Sequence, residues 1–507
     1  MTDEPRAVQE LVALLQGPRP VVVARPGDLV EGPASVGQEQ FWLMDQVDPE
    51  SRRCLLPEAI RLRGSLDASA LRRAFESLVA RHAVLRTSFS LTEDGTLWQT
   101  VRAQTPLLYE YRDNSAHTRG DWPDVVSAEL ASIASRSFNL ERAETLRVSV
   151  VRMGDDEHIL VYVAHHAVFD EASFAIVRRE LAEFYAAEVA RRLVMLRPLP
   201  TQYVDFAMEQ RARRAQSSSR SEAYWRERLQ GLRPIRIAAH ANGEPDTSSS
   251  SERYLGLDAD LPRRVRDVAR SYSVSPYMVY LSTYFLLLSR LSGSSDIAVT
   301  TPVSSRRDAD LGGLVGCFVD TVAVRVDVRE QATFGDLVHR VTATCLEAFE
   351  HQDVAFSDLL AAAGDVAGSV GRSALAHSFV YHYDSITNRD HGFAGLKSEL
   401  LRIEVAYAKG DFALAVRDGA ADSVVRVQFD RRIYSASAAL DAGHEYIEML
   451  RAVASAPDAP LAAHLGRSSG RHVASDRAPA AVLSGAHRGL ARVQHLSDRT
   501  DSGGDQP

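Results

Sequence analysis

The stretch His158-Ile-Leu-Val-Tyr-Val-Ala-His-His-Ala-Val-Phe-Asp-Glu-Ala-Ser173 decides how the fold of this chain is interpreted. Its first half is an unbroken apolar run rich in β-branched and aromatic residues, which is typical of a buried strand. From Glu171 to Arg191 apolar residues recur at helical spacing, so a helix is expected there. The stretch therefore predicts a strand, a corner and a helix, as in α/β folds.

Two adjacent histidines, His165 and His166, lie at the predicted corner. Open α/β sheets bind ligands at such strand ends, and imidazole exchanges protons near neutral pH. Asp170 follows four residues after His166, and its carboxylate could fix the geometry of a ring or of the backbone. The same residues also fit a plainer interpretation, in which two half-buried histidines precede an ordinary helix cap at Asp170. The corner alone does not decide between the two.

The bulk composition is that of a soluble globular protein. The chain has 507 residues, of which 45% are hydrophobic and 25% charged, enough for two or three domains. The formal net charge is −9 and basic residues are dispersed, so no nucleic-acid partner is expected. Cys54, Cys317 and Cys345 lack the spacing of a disulfide framework or zinc site and fit a reducing cytoplasm. The chain start is unlike a signal peptide, and the most apolar stretch, 277–288, is too short to span a bilayer, so no membrane association is expected.

Apolar patterns divide the chain into two α/β stretches between less regular segments. An extension punctuated by Pro and Gly is expected at 1–33 and a disordered tail at 468–507. Polar, Ser-rich sequence at 211–221 and 242–251 predicts loops between the two stretches. The predicted helices are 71–81, 171–191, 222–229, a helix starting at Pro276, 333–350 and 438–454, with an amphipathic segment at 7–15, and the predicted strands are 155–164, 296–300, 321–326, 401–405 and 424–429. Two halves of similar length predict two lobes with a cleft between them, a favoured place for ligands.

Seven spaced motifs resemble those of the condensation domains of nonribosomal peptide synthetases, over about residues 35–465. They are Ser35-Val-Gly-Gln-Glu-Gln-Phe-Trp-Leu43, Arg81-His-Ala-Val-Leu-Arg-Thr-Ser-Phe89, His165-His-Ala-Val-Phe-Asp-Glu171, Tyr203-Val-Asp-Phe-Ala207 followed by Tyr224-Trp225, Gly316-Cys-Phe-Val-Asp-Thr321, His351-Gln-Asp-Val-Ala-Phe356 and Arg372-Ser-Ala-Leu-Ala-His-Ser-Phe379. Each motif is modest evidence by itself, but their order and intervals match the family. The alternative, an unrelated two-lobed α/β protein, is thereby disfavoured.

The resemblance implies an α/β (α+β sandwich) fold of two chloramphenicol-acetyltransferase-like lobes, forming a V-shaped pseudodimer with a central tunnel. The first lobe would comprise residues 34–210 and the second 211–467. Family members transfer an acyl group from the phosphopantetheine thioester of a carrier protein to an amine or, in some members, a hydroxyl. We therefore expect a free-standing, monomeric, cytoplasmic acyltransferase of secondary metabolism that meets acyl or peptidyl carrier proteins in trans. Phosphopantetheine arrives on the carrier, so no cofactor and no metal are expected in the protein itself.

The resemblance also implies residue roles. His166 matches the residue that accepts a proton from the attacking amine or hydroxyl, or holds that nucleophile and the tetrahedral intermediate. His165 is expected mainly to shape the turn behind His166. Asp170 matches a structural carboxylate that pairs with an arginine of the second lobe, for which Arg306 is the match and Arg307 the adjacent rival.

Glu171 departs from the family pattern, because it stands where glycine is usual. Three interpretations stay open: a carboxylate that selects a cationic or differently shaped acceptor, a tolerated side chain that points away from the tunnel, or an impaired site. In each of them, a carboxylate in the first turn of a helix is favourable to the helix dipole. Asp320 and Ala355 also replace the usual asparagine and proline, away from the proposed chemistry.

Three other functions share parts of this pattern. A non-catalytic docking module would bind carrier proteins or recruit a partner enzyme, but such modules usually lose the second histidine, which this chain keeps. An epimerisation domain shares the histidine pair, yet the motifs at 35–43 and 316–321 and the absence of a Glu-Gly-His-Gly-Arg segment argue against it. Heterocyclisation domains normally carry aspartates in place of the pair. The condensation enzyme is the leading hypothesis, and the docking module is its alternative.

Overall fold

The strand that ends at the histidine pair is the central strand of a five-stranded sheet. This computed structural model describes residues 30–47, 54–115, 122–134, 136–237, 251–328, 333–364, 373–384, 392–401, 411–419, 423–431 and 433–465. The strands are β1 (Val30–Pro33), β2 (Leu55–Arg63), β3 (Thr87–Leu91), β4 (Leu97–Val101), β5 (Leu108–Asp113), β6 (Leu146–Gly154), β7 (Glu157–His165), β8 (Ser251–Gly256), β9 (Asp296–Ser304), β10 (Val319–Asp327), β11 (His377–Asp384), β12 (Lys397–Leu401), β13 (Phe412–Gly419) and β14 (Val424–Phe429). The α-helices are α1 (Val36–Val47), α2 (Ala68–Arg81), α3 (Trp122–Ala134), α4 (Glu171–Ala190), α5 (Tyr203–Leu229), α6 (Leu261–Ser271), α7 (Pro276–Ser292), α8 (Phe334–Glu350), α9 (Phe356–Ala362), α10 (Ala436–Ser455) and α11 (Leu461–Leu465).

The first sheet has the strand order β12-β2-β7-β6-β5, and β7 pairs antiparallel with both neighbours. Residues 159–164 of β7 are at most 1% exposed, so both faces of the strand are covered. This explains why the strand is a continuous apolar run rather than an alternating pattern. Helices α2 and α4 pack against each other, and their apolar residues join the same core as β7. The corner after β7 is therefore built on a rigid, fully packed strand.

A second sheet, of strand order β10-β9-β11-β13-β14-β8, organises the other half of the chain. Helices α7, α8 and α10 share its main core, in which Phe285, Tyr284 and Tyr446 are fully buried. Residues 278–289 of α7 are buried all round, as expected for a helix at the centre of a core rather than at a surface. A smaller sheet, β1-β4-β3, adjoins the first half.

The two halves interlock through a strand from the second half. Strand β12 pairs antiparallel with β2 at the edge of the first sheet, with Ala59 opposite Leu401. Phe393 and Leu396, just before that strand, join the core of the first half, as does Phe318 before β10. The second half therefore contributes both backbone pairing and apolar side chains to the half that carries the histidines.

The predicted α/β class is confirmed, whereas the V shape, the tunnel and the predicted lobe limits stay predictions. One local prediction is wrong: residues 211–221, predicted as a loop, lie within helix α5. Arg211 donates to the Glu39 carboxylate of α1 at 2.5 Å, and Arg214 bonds to Asp358 of α9. Trp225 near the end of α5 is fully buried and donates to the His351 carbonyl at 3.0 Å. Tertiary contacts of this kind override the weak helix preference of serine.

Several predicted segments cannot be compared with the fold. Those at 7–15, 242–250, 402–405 and 468–507 lie outside the described residues. Within the described ranges, no helix is long and apolar enough to cross a membrane.

Candidate active site

The corner after β7 is held by backbone hydrogen bonds on both sides of the histidine pair. The chain leaves the strand at His165, makes a 3₁₀ turn over His166–Val168 and enters α4 at Glu171. The His166 backbone N–H donates to the Cys54 carbonyl at 2.7 Å, just before β2. The second histidine therefore occupies a fixed position at the end of the central strand.

His165 takes part in the turn itself. It is fully buried, and its Nδ1 accepts a hydrogen bond from the Ala167 backbone N–H at 3.1 Å. An Nδ1 that accepts leaves the proton of a neutral ring on Nε2, which lies 3.6 Å from the Asp45 carboxylate of α1. His165 thus bonds within the turn, while its role in the reaction stays a prediction, and sequence reasoning did not identify Asp45.

His166 lies against α1 as well. Its side chain is almost entirely buried, at 3% exposure, and its ring stacks on the Phe41 ring with centroids 3.7 Å apart and planes 9° from parallel. Phe41 belongs to the first motif quoted above, so two motifs that lie far apart in sequence meet at this ring. Because imidazole can gain or lose a proton near pH 7, the arrangement can transfer protons at a site shielded from bulk water.

Asp170 caps α4 and also bonds to the second half of the molecule. Its carboxylate accepts from the Ser173 backbone N–H at 2.8 Å and hydroxyl at 2.6 Å, as an N-cap residue does. It also accepts from Arg306 at 3.0 Å on both oxygens and from the Phe318 backbone N–H at 3.2 Å. With 2% exposure and this number of donors, the carboxylate is a fully satisfied buried group rather than a free base.

Arg306 spans the gap between the halves. One guanidinium nitrogen donates to the Leu311 and Leu314 carbonyls at 2.7 and 2.8 Å, while the other contacts Asp170. Its planar group also lies 4.0 Å above the centre of the Phe318 ring. The adjacent Arg307 instead bonds to Asp353 at 3.1 Å. Of the two arginines considered from the sequence, the structure brings Arg306 to Asp170.

Glu171 is exposed at the first position of α4, and its charge acts on both halves. In the first half, burial raises the pKa of Glu58 to about 7 against the opposing charge of Arg178, and the negative charge of Glu171 adds to the rise. In the second half, burial opposes the charged form of Arg426 on β14, but the charges of Glu252, Tyr254 and Glu171 together raise the pKa of this guanidinium. The charge at position 171 therefore contributes to the electrostatics of groups in both halves of the chain.

Asp320, which replaces the usual asparagine, is a buried carboxylate of the second half. It is 4% exposed, accepts from the Ser305 hydroxyl, and accepts from the Gln210 amide at 3.3 and 3.4 Å. Burial raises the pKa of Asp320 to about 6, and the nearby Asp353 charge adds to it. Gln210 also accepts from the Val36 backbone N–H at 2.9 Å, so this cluster links α5, α1 and β10.

No group of histidine, cysteine and carboxylate side chains within the described ranges could hold a metal ion. The three cysteines are buried and unpaired with one another. Cys54 lies at the site, where its Sγ donates to the Phe41 carbonyl at 3.3 Å. Its contacts at the site are thus with backbone groups that hold the corner.

Comparison with known proteins places these features in one family pattern. The family described as "Condensation domain" matches residues 31–466. Chondramide synthase cmdD of Chondromyces crocatus is 32% identical over 326 residues, which are 64% of this chain and 8% of that protein. Surfactin synthase subunit 1 of Bacillus subtilis (strain 168) is 30% identical over 434 residues, 85% of this chain and 12% of that protein. The chain thus spans only a small part of the length of these relatives.

A solved complex of the X-domain and OxyB from teicoplanin biosynthesis shares the fold. Its TM-score is 0.73 at 24% identity, covering 88% of this chain and 97% of that chain. At this level of identity the likeness concerns the fold alone.

Proposed function

The chain belongs to the condensation-domain family, and we propose that it transfers an acyl or aminoacyl group from a carrier-protein phosphopantetheine thioester to an amine or hydroxyl. Condensation domains in general are acyltransferases that form amide or ester bonds, and the matching relatives are nonribosomal peptide synthetases. The observation that supports the proposal most strongly is the buried position of His166 at the end of the central strand. The helix that follows is held in place by the ion pair of Asp170 and Arg306. The partners would be carrier proteins that deliver the donor.

The proposed step conserves atoms and charge. The acceptor nitrogen or oxygen attacks the thioester carbonyl carbon, so a C–N or C–O bond forms and a tetrahedral intermediate carries negative charge on oxygen. His166 accepts the proton that the acceptor loses and stabilises the intermediate. The C–S bond then breaks, and the proton passes to the departing thiolate. His165 and Asp170 would act on geometry: one shapes the turn, and the other holds the start of α4.

The matched variants for a test lie within strand β7 and directly after it. His166→Ala removes the proposed proton acceptor, and His158→Ala removes a buried histidine of β7, eight residues earlier and away from the corner. Acyl-loaded carrier protein would be incubated with each variant and a panel of amine and alcohol acceptors, and the products followed by intact mass spectrometry. We expect wild type and His158→Ala to form a new amide or ester, and His166→Ala to be slower by about 10²–10⁴. Equal rates for His166→Ala and wild type would overturn the proposal.

A docking module is the second candidate, favoured by Glu171 in place of glycine and by the fold shared with the X-domain in complex with OxyB. In this role the chain would bind a carrier protein or a partner enzyme without turnover. The distinguishing result is carrier binding that persists in both wild type and His166→Ala while neither forms product with native carriers and acceptors.

A further inference from the structure

One face of helix α1 contacts both histidines. Phe41 stacks on His166, and Asp45, one helical turn later, lies 3.6 Å from His165 Nε2. Residues four apart lie on the same helix face, so this short helix presents an aromatic ring to one imidazole and a carboxylate to the other. Neither residue takes part in the acyl-transfer step as proposed, which involves only His166, His165, Asp170 and Arg306.

We propose that Phe41 is a positioning residue that fixes the ring plane of His166 and stabilises the imidazolium formed during proton transfer. The inference rests on the proposed function, because it assigns a role within the same reaction. It makes the first motif part of the proton-transfer apparatus rather than only part of the core.

The geometry of the stack supports positioning. With centroids 3.7 Å apart and a 9° angle, the Phe41 ring covers one face of the imidazole almost flat. The ring nitrogens then lie in a plane parallel to Phe41, so their N–H bond and lone pair point past the phenyl ring instead of into it. Phe41 is itself only 4% exposed, so it has little room to move away. Rotation of the imidazole about its Cβ–Cγ bond would collide with this buried ring.

Cys54 holds the backbones of both stacked residues. Its Sγ donates to the Phe41 carbonyl at 3.3 Å, and its own carbonyl accepts from the His166 N–H at 2.7 Å. Cys54, which directly precedes β2, therefore links the backbone of α1 to the backbone of the corner. The stack is part of the hydrogen-bonded framework and not a chance contact of two mobile side chains.

The aromatic face also has an electrostatic effect. A cation over a phenyl face is attracted by the ring quadrupole, and burial strengthens the attraction because water does not screen it. The neutral imidazole gains little from this, so the stack favours the state in which His166 has taken the proton. The expected effect is about 3- to 30-fold on proton affinity and on the rate of the step.

Other charged or titratable groups lie in the same part of the molecule. His165 is adjacent in the chain, Asp45 faces the pair from α1, and Glu171 and the Asp170–Arg306 pair lie at the start of α4. Leucine in place of Phe41 keeps the position apolar and changes none of these charged groups. A change in the titration of His166 in that variant would therefore report the aromatic face.

The test compares Phe41→Leu with two other variants of the full chain. Phe41→Tyr keeps the aromatic face, and Phe89→Leu makes the same deletion at a residue of β3 that is 1% exposed and belongs to the same core. Histidine rings carrying ¹³C would be followed by NMR through a pH titration, with His166→Ala to assign the signal, and kcat/KM would be measured against pH. Unfolding curves confirm that each variant is folded.

In Phe41→Leu, we expect the His166 ring protons to lose the upfield shift caused by the stacked phenyl, and the titration midpoint to fall to lower pH. The kcat/KM at its alkaline plateau should fall about tenfold. Phe41→Tyr should resemble wild type in both measurements, and Phe89→Leu should leave the His166 signal unchanged. If Phe41→Leu and Phe89→Leu give the same midpoint and the same kcat/KM, the inference is overturned. Because the NMR titration needs no turnover, it decides on the stack even if the proposed acyl transfer fails.

Discussion

Asp170 and Asp320 are both buried carboxylates close to the start of β10, but their surroundings differ. Asp170 accepts from the Arg306 guanidinium, two backbone N–H groups and one hydroxyl. Asp320 accepts from one hydroxyl and one amide, and Arg307, whose charge opposes the rise in its pKa, is paired with Asp353. Burial accordingly raises the pKa of Asp320 to about 6.

The difference shows what a buried carboxylate requires. Burial alone disfavours the charged form, and only a close cation and several donors offset that cost. The Asp170 region meets this requirement with groups from both halves of the molecule, so the ion pair fixes how the corner sits on the second half. The Asp320 region does not, and burial raises the pKa of its carboxyl group.

The largest expected effect is at Asp170. Asp170→Ala leaves Arg306, whose side chain is only 11% exposed, without its carboxylate partner and removes the helix cap, so the free energy of unfolding should fall by about 3–5 kcal/mol. Urea unfolding of the full chain measures this. Arg307→Ala is the matched control, because it removes a half-exposed arginine paired with Asp353 and should cost less than about 1 kcal/mol. Equal losses of stability in the two variants would show that the buried pair of Asp170 and Arg306 contributes no more than the more exposed pair of Arg307 and Asp353.

The comparison also shows what sequence reasoning could reach. The apolar run before His165 predicted β7, because a strand covered on both faces needs no alternation. The helix that follows was predicted from its periodicity, and Arg306 was identified only through its motif context. Those predictions rest on a local pattern or on family resemblance, and short stretches of sequence contain the information for each.

What sequence reasoning missed depends on contacts between distant segments. The pairing of β12 with β2 joins residues that are more than 300 positions apart, and nothing in either strand specifies its partner. The serines of 211–221 favour a loop prediction, but the segment is part of a helix. The contacts that stabilise this helix are made with other elements, so they cannot be recognised in the segment itself. Phe41 and Asp45 are ordinary members of an amphipathic helix until the fold brings α1 to the corner.

A smaller effect, of opposite sign, is expected at Asp320. Burial raises the pKa of Asp320 from its ordinary value of 3.8 to about 6, so the native state binds this proton more tightly than the unfolded chain does. Its stabilising contribution is therefore full at acidic pH and is lost as pH rises through about 6. Asp320→Asn should raise the free energy of unfolding by about 1–3 kcal/mol at pH 7, and by less at pH 5.

Denaturant unfolding at the two pH values measures this difference. Asp353→Asn is a suitable control, because Asp353 is paired with Arg307 and the substitution should lower stability slightly at pH 7. A gain for Asp320→Asn that is the same at pH 5 and pH 7 would mean that the carboxylate is not protonated in this range.

The smallest effect on stability is expected at Glu171, the exposed carboxylate next to Asp170. Glu171→Gln removes a negative charge from the first turn of α4, which should cost only about 0.3–1 kcal/mol at low salt. Because its charge acts on Glu58 and Arg426, we expect it to act on a charged acceptor as well. We expect transfer to cationic amine acceptors to fall about fivefold while transfer to neutral alcohols of similar shape is unchanged, since one partly screened charge contact contributes about 1 kcal/mol. If the rate of transfer falls equally for both acceptor classes, the role of Glu171 is limited to stabilising the start of α4. Asp170 would then be the only carboxylate of this turn that also acts outside the helix.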